Sequence, residues 1–335
     1  MRILLLGGSG LLSGAAVRAF ARAGHDVTVL TRGKRAVSAG VRHLAGDRRD
    51  AASMRAALEG ARFDFTVDFL AFGGGDVDRL LSVPGFAPGR LVAISSGQVY
   101  LVTAAPEPPF REEASEGPLM SEPASGTRDH DEWKYGMGKS AAEAALARAS
   151  ATGLQALALR IPVVQGEEDR SGSRRLWAWL ERMLDGEPVL LPEAGRQVVR
   201  FVYVEDVAEA LLALATAPTW PAERVLNLAQ PDEMPLRPFL ERVAMLAGAT
   251  PRFVAVDRAA LEHAGLADTC APYWGRWCSR PDPARAIARL GVRPRTVAEY
   301  LPGVVQAHIA EPRPSSHPGY ARRGEEIALA RAIGV

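Results

Sequence analysis

The chain of 335 residues is 47% hydrophobic, 7% aromatic and 24% charged, with 32 glycines and 24 prolines. This is the composition of a folded globular protein of about two average domains, and it excludes collagen-like, disordered and membrane-embedded chains. Forty basic residues against 39 acidic ones leave a net charge of +1, so no global field favours nucleic acid or an anionic membrane, and neither is expected as a partner.

The first strand is read at 3–6. Its four aliphatic residues are too few for a signal-peptide core or a membrane span, and the expected location is the cytoplasm. A helix over 13–23 follows, closed by Gly24, a C-terminal cap signal. Further strands are read at 26–30, weakly at 42–44, then at 65–69, 90–94 and 154–160, with a helix at 51–58 and a long one from about 130 to 149. Strands alternating with helices predict an α/β chain with a doubly wound parallel sheet. After Pro162 the regularity changes: helices at 176–184, 207–215 and 236–247 and a strand at 198–203 read as a smaller C-terminal α/β lobe. The domain reading is 1–165, with elements around 198–230 returning to it, and 166–335 for the lobe and tail. Residues 105–127, rich in Pro, Glu, Ser and Gly, read as a long surface loop. Residues 311–320 carry three prolines and read as extended before a last short helix. Cys270 and Cys278 are the only cysteines. They lack neighbours at zinc-ligand spacing, so no metal is expected.

Gly7, Gly8 and Gly10 lie between the first strand and the first helix. Glycines there let the backbone turn tightly and approach a pyrophosphate, whose charge meets free N–H groups at the positive helix end. Ser13 stands where a third glycine would pack helix on strand. After the second strand comes Thr31-Arg32-Gly33-Lys34-Arg35, with no carboxylate for a ribose 2′-hydroxyl and three cations suited to a 2′-phosphate, so NADP(H) is favoured over NAD(H) as cofactor. Of the 40 basic residues only Lys34, Lys134 and Lys139 are lysine. Tyr135 and Lys139 are four apart, on one face of the long helix, and Ser95-Ser96 ends the fifth strand, at the edge where open α/β sheets bind ligands. An ammonium beside a phenol favours the phenolate, which suits Tyr135 to exchange a proton with an alcohol or ketone.

Together these motifs, with Ser95-Ser96-Gly97-Gln98-Val99-Tyr100 and Arg200-Phe201-Val202-Tyr203-Val204-Glu205-Asp206-Val207-Ala208, resemble the extended short-chain dehydrogenase/reductase family, also called the NAD-dependent epimerase/dehydratase family. The resemblance runs from Met1 to about His308 and implies a Rossmann domain with a C-terminal substrate lobe. It implies Ser96, Tyr135 and Lys139 as catalytic residues. For the cofactor it implies Gly7, Ser9, Gly10, Leu11, Leu12, Thr31, Arg32, Lys34, Arg35, Asp47, Arg48, Phe69 and Pro162 beside Tyr135 and Lys139, and for the substrate Gly97, Gln98, Arg200 and Arg280. Asp47 matches the acid that contacts adenine, and Arg200 an arginine that contacts a substrate pyrophosphate.

Departures set the subclass. Dehydratases of the family carry an Asp-Glu pair after the catalytic Ser/Thr, where this chain has Gly97-Gln98, so dehydration is disfavoured. Val163 stands where nucleotide-sugar enzymes often have Asn. The leading expectation is an NADP(H)-dependent oxidoreductase or epimerase acting at a secondary alcohol or ketone of a nucleotide-activated sugar. The alternatives are a reductase of a small carbonyl metabolite and, from another class, a cofactor-dependent binding or regulatory protein of the atypical branch. The partners expected are a small-molecule substrate and a second copy of the chain in a homodimer. His130-Asp131-Glu132, just before Tyr135, is a weaker candidate to line the site, since acids also suit a helix N-terminus.

Overall fold

The computed structural model describes residues 1–34, 40–105, 107–170 and 173–334. The chain divides into two compact units, one of Met1–Val164, Phe201–Ala229 and Ser279–Pro294, the other of Gln165–Arg200, Gln230–Cys278 and Arg295–Val335.

The first unit opens with β1 (Arg2–Leu6), α1 (Leu11–Arg22), β2 (Asp26–Thr31), β3 (Arg42–Ala45), α2 (Ala51–Leu58), β4 (Phe65–Asp68) and α3 (Gly74–Leu81). It continues with β5 (Arg90–Ser96), the short α4 (Gln98–Leu101), α5 (Arg128–Ala151), β6 (Ala156–Ile161) and β7 (Val163–Gln165). Later segments add β10 (Phe201–Tyr203), α7 (Val204–Thr216), β11 (Val225–Asn227) and α10 (Ala284–Leu290). Seven strands form one sheet in the order β11-β6-β5-β4-β1-β2-β3, with parallel pairing throughout. This is the doubly wound Rossmann arrangement, and its order reverses between β1 and β4, the place where such sheets bind ligands.

The strands are apolar on both faces because helices cover both. Ile3 and Leu5 of β1 join α1 and α7 through Ala16, Phe20, Val207 and Leu211. The alternate residues Leu4 and Leu6 join α2, α3 and α5 through Met54, Leu58, Val77, Ala142 and Leu146. The helix α1 begins two residues earlier than the apolar pattern indicates, because Gly10 caps it and Ser13 Oγ accepts the Gly10 N–H at 3.1 Å. In α5, Thr127 caps the N-terminus through the His130 N–H at 3.2 Å.

The second unit holds α6 (Arg175–Leu184), β8 (Val189–Pro192), β9 (Val198–Val199), β12 (Met234–Pro235), α8 (Leu236–Ala247), β13 (Phe253–Val256), α9 (Arg258–His263), α11 (Val297–Ile309) and α12 (Arg323–Gly334). Its β8 and β13 pair in parallel and β9 and β12 antiparallel. The tail runs without regular structure over 313–317, as read, and ends in the twelve-residue α12. The buried Arg182 donates to both carboxylate oxygens of Glu326 at 2.8 and 2.6 Å, and Arg323 grips Asp185 at 2.7 and 3.1 Å, which seats α12 on α6. No helix among the described residues is long and apolar enough to cross a membrane.

Candidate active site

At the sheet's switch point Gly7 has φ of +106°, the left-handed half of backbone space that favours glycine, and its N–H donates to Leu30 O at 3.0 Å. Phe69 closes the other side, its N–H donating to Leu6 O at 3.2 Å. The turn is therefore built from backbone, with exposed Ser9 and Gly10 leading into Leu11 and Leu12 at the start of α1. A third glycine is not needed for packing, because buried Ser13 uses its hydroxyl to satisfy the Gly10 N–H.

At the end of β2, Thr31 Oγ1 accepts the Gly33 N–H at 3.2 Å and lies 2.9 Å from His43 Nε2 on β3. This turn leaves Arg32 and Lys34 exposed; Arg35 lies outside the described residues. Asp47 is held below the usual carboxylate range by the Arg49 N–H, with the charges of Arg49 and Arg32 acting the same way. Arg48 points elsewhere. Its buried guanidinium bonds the buried Asp68 at the end of β4 and donates to Asp76 O at 2.9 Å. Asp68 in turn accepts the Leu70 N–H at 2.8 Å, so this pair braces the turn after β4 and the Arg48 charge faces the domain interior.

The chemical end is organised by Lys139. Its ammonium is 2% exposed and donates to Ala71 O at 2.9 Å and Ile94 O at 2.8 Å, which ties α5 to the ends of β4 and β5. It lies 4.6 Å from the centre of the Phe72 ring and 5.7 Å from that of Tyr135. Burial lowers its pKa to about 8, Arg48 adding to the effect and Asp68, Glu143 and Asp76 opposing it. Tyr135 is 38% exposed. Ser96 Oγ accepts the Gln98 N–H at 3.2 Å, which leaves its own O–H to be donated. The fold thus gathers Ser96, Tyr135 and Lys139 around the end of β5.

Gly97 has no room for a side chain: a Cβ there would stand 2.2 Å from Ser279 Oγ and 2.5 Å from Ser279 Cβ. Ser279, Arg280 and Pro281 cross at this point, Arg280 O accepting the Phe110 N–H at 2.9 Å. Gln98 is buried and its side-chain amide donates to Glu132 Oε2 at 2.5 Å. In the second unit, Arg200 lies 3.4 Å from Glu233 and donates to Pro231 O at 3.3 Å. Pro162 is buried directly after β6.

The chain matches the model of the NAD-dependent epimerase/dehydratase family over residues 3–86 and 79–229, more than half its length. It belongs to that family. No curated protein matches it. Among solved structures it is similar to the UDP-glucose 4-epimerase of Thermotoga maritima bound to UDP-glucose, with a TM-score of 0.70 and 20% identity over 92% of this chain and 98% of that one. MoeE5 bound to UDP-glucuronic acid and NAD gives 0.67 and 21% over 92% and 98%. The dTDP-glucose 4,6-dehydratase of Bacillus anthracis bound to NAD gives 0.67 and 16% over 92% and 96%. At these identities the likeness is one of fold.

Sequence reasoning missed the buried network behind this candidate site. Glu143, one turn beyond Lys139, accepts from Ser95 Oγ at 2.5 Å and from Arg160 Nη2 at 2.6 Å and Nε at 2.9 Å. Arg160 also donates to Tyr100 Oη and Glu112 O, both at 2.8 Å, and to Ser115 Oγ at 2.9 Å. Tyr100 donates its own O–H to Asn227 Oδ1 at 2.6 Å, and burial raises its pKa to about 12. Burial opposes the Arg160 charge, yet the Glu143 carboxylate holds that guanidinium above its ordinary value. Two signals were present. The stripe Tyr135, Lys139, Glu143 has helical spacing, and an arginine inside the apolar strand Ala156–Ile161 demands a buried partner. The 105–127 loop is correspondingly not a plain surface excursion, since Phe110 and Glu112 are buried within it.

Proposed function

We propose that the protein is an NADP(H)-dependent oxidoreductase or epimerase acting at a secondary alcohol or ketone, with a nucleotide-activated sugar as substrate. The observation that carries this is the Lys139 ammonium, clamped by two backbone carbonyls beside Tyr135. A lysine has three N–H donors; two are used inside the protein, and the third is available to a ribose hydroxyl of the cofactor. The backbone cradle at Gly7, with its φ of +106°, fits the close approach of a dinucleotide pyrophosphate at the start of α1. When bound, the nicotinamide supplies or removes a hydride.

The chain's own residues handle the proton. Near neutral pH Lys139 is charged, and a cation 5.7 Å from the Tyr135 ring centre stabilises the phenolate relative to the phenol. Tyr135 then accepts a proton from an alcohol or returns it to a ketone. Ser96, its oxygen already accepting the Gln98 N–H, donates its O–H to the reacting oxygen and holds it in place. The exposed Arg32 and Lys34 support NADP(H) over NAD(H). Ser279 filling the space at Gly97, together with the Gln98 amide, argues against dehydration, because no carboxylate fits at position 97.

Support for a nucleotide sugar comes from the UDP- and dTDP-sugar enzymes of the same fold. The second reading, reduction of a small carbonyl metabolite, is favoured by one observation: Arg200 already lies against Glu233, so its charge is partly answered within its own unit. The test is to identify the cofactor and any nucleotide released from purified protein, then to assay UDP-glucose, UDP-N-acetylglucosamine and dTDP-glucose. Tyr135→Phe should lower turnover by about two to four orders of magnitude, as for lost acid–base catalysis, with NADPH affinity little changed. Wild-type turnover in that variant would overturn the assignment. An unchanged KM for a nucleotide sugar in Arg200→Ala would remove the phosphate contact.

A further inference from the structure

Among the described residues, the Glu132 carboxylate on the helix of Tyr135 and Lys139 is met by a neutral amide and by no cation. Gln98 opens α4 directly after the Ser96-Gly97 end of β5, and Glu132 lies on α5 three residues before Tyr135 and four before Gly136. The two helices touch, since a Cβ on Gly136 would meet Gln98 O at 2.9 Å and Val102 Cγ1 at 2.6 Å. This approach brings the Gln98 amide within 2.5 Å of Glu132 Oε2. Gln98 is buried and Glu132 half-buried, and among the described residues the amide is the polar partner of the carboxylate.

The helix dipole does not account for Glu132. Asp129 and Asp131 already supply acids in the first turn of α5, where the dipole acts, and Glu132 lies beyond it. A neutral amide fixes the direction of a carboxylate without cancelling its charge. An ionised carboxylate offers about four acceptor positions, so most of them remain open. At positions three apart, Glu132 and Tyr135 share one side of the helix, and the Gln98 that holds Glu132 also donates its backbone N–H to Ser96 Oγ at 3.2 Å.

We propose that Glu132, seated by Gln98, is a specificity-determining residue that accepts hydrogen bonds from the hydroxyls of a neutral sugar beside the reacting carbon and repels a sugar bearing a carboxylate. The assignment rests on the nucleotide-sugar reading. UDP-glucose and UDP-glucuronic acid are suitable probes, because they differ only in a hydroxymethyl against a carboxylate and their shared nucleotide contacts cancel.

Calorimetric titration of the NADP⁺-saturated protein with each probe, and with UDP as a control, tests it. The wild type should bind UDP-glucose about tenfold or more tightly than UDP-glucuronic acid, the scale of one charged hydrogen bond or like-charge contact. Glu132→Gln keeps the shape and a hydrogen bond with Gln98, and it should bring the ratio near one with UDP affinity and Tm unchanged. Glu132→Asp should retain the direction of the preference. If both sugars bind and the ratio is the same in the wild type and Glu132→Gln, the role of Glu132 is overturned while the nucleotide-sugar reading stands. If the wild type binds neither sugar nor UDP, that reading falls and this inference falls with it.

Discussion

Lys139 carries an ammonium that is 2% exposed, in a chain that otherwise places its positive charge almost wholly on arginine. An amine can lose its proton when buried and a guanidinium cannot, so the rarer residue stands where a tunable charge is required. Its folded pKa of about 8 lies below the ordinary lysine value of 10.5. Between those two values the unfolded chain binds a proton that the native chain does not, so this group's contribution makes stability rise with pH across that window. Lys139→Met should flatten that rise in cofactor-free protein, read as the difference in Tm between wild type and variant from pH 8 to 10.5. Parallel curves would show that the amine keeps an ordinary pKa. Arg32 belongs to the same scale. Its exposed guanidinium should make NADPH bind more tightly than NADH, and Arg32→Ala should remove about 1–3 kcal/mol of that preference, the value of a charged hydrogen bond. Equal affinities in the wild type would end the NADP(H) assignment.

Between elements, the contact at Gly97 decides how the end of β5 is roofed. The segment beginning at Ser279 comes from far along the chain, and its first side chain fills the space that a residue at 97 would need. Gly97→Ala should therefore destabilise the protein by about 1–3 kcal/mol through overpacking. Ser279→Gly in the same chain should recover a good part of the loss, because it removes the atoms that a Cβ would meet at 2.2 and 2.5 Å. Urea melts of the two single variants and the double variant measure this coupling. Strict additivity would mean that the two residues do not meet. The same reasoning explains the loop before α5. Its composition reads as solvent-exposed, yet Arg160 reaches out of the sheet to Glu112 O and Ser115 Oγ and binds it down.

For the whole molecule, each unit has its own way of securing distant chain segments. The first threads Phe201–Ala229 and Ser279–Pro294 back onto a sheet begun at the N-terminus. The second holds the last helix through charge: Arg182 and Glu326, with side chains 2% and 1% exposed, form a buried two-bond pair. Glu326→Ala should cost about 3–5 kcal/mol, because it leaves a buried guanidinium with one carboxylate fewer. The combined Arg182→Met, Glu326→Leu change should cost much less. Denaturant melts distinguish the two, and a mild effect of Glu326→Ala alone would mean that α12 is held by its apolar face.

By itself the sequence determined whatever depends on neighbours along the chain. The strands and helices of the parallel sheet are written in local apolar periodicity, and α2 and α8 have the ends read for them. The glycine turn before α1, the basic turn after β2 and the Tyr135/Lys139 spacing are likewise local patterns. The helix α3 escaped notice because Gly74-Gly75-Asp76 opens it with weak helix formers, and the edge strand β11 because it has only three residues. Only the tertiary structure decided the remainder. Whether Arg48 faces a ligand or Asp68, whether Gly97 is open or covered by Ser279, and which carboxylate answers Arg160 all turn on contacts between residues 17 to 182 positions apart. A charged side chain carries no mark of its partner in the sequence. The partner is chosen when burial removes water and makes an unanswered charge too costly to keep.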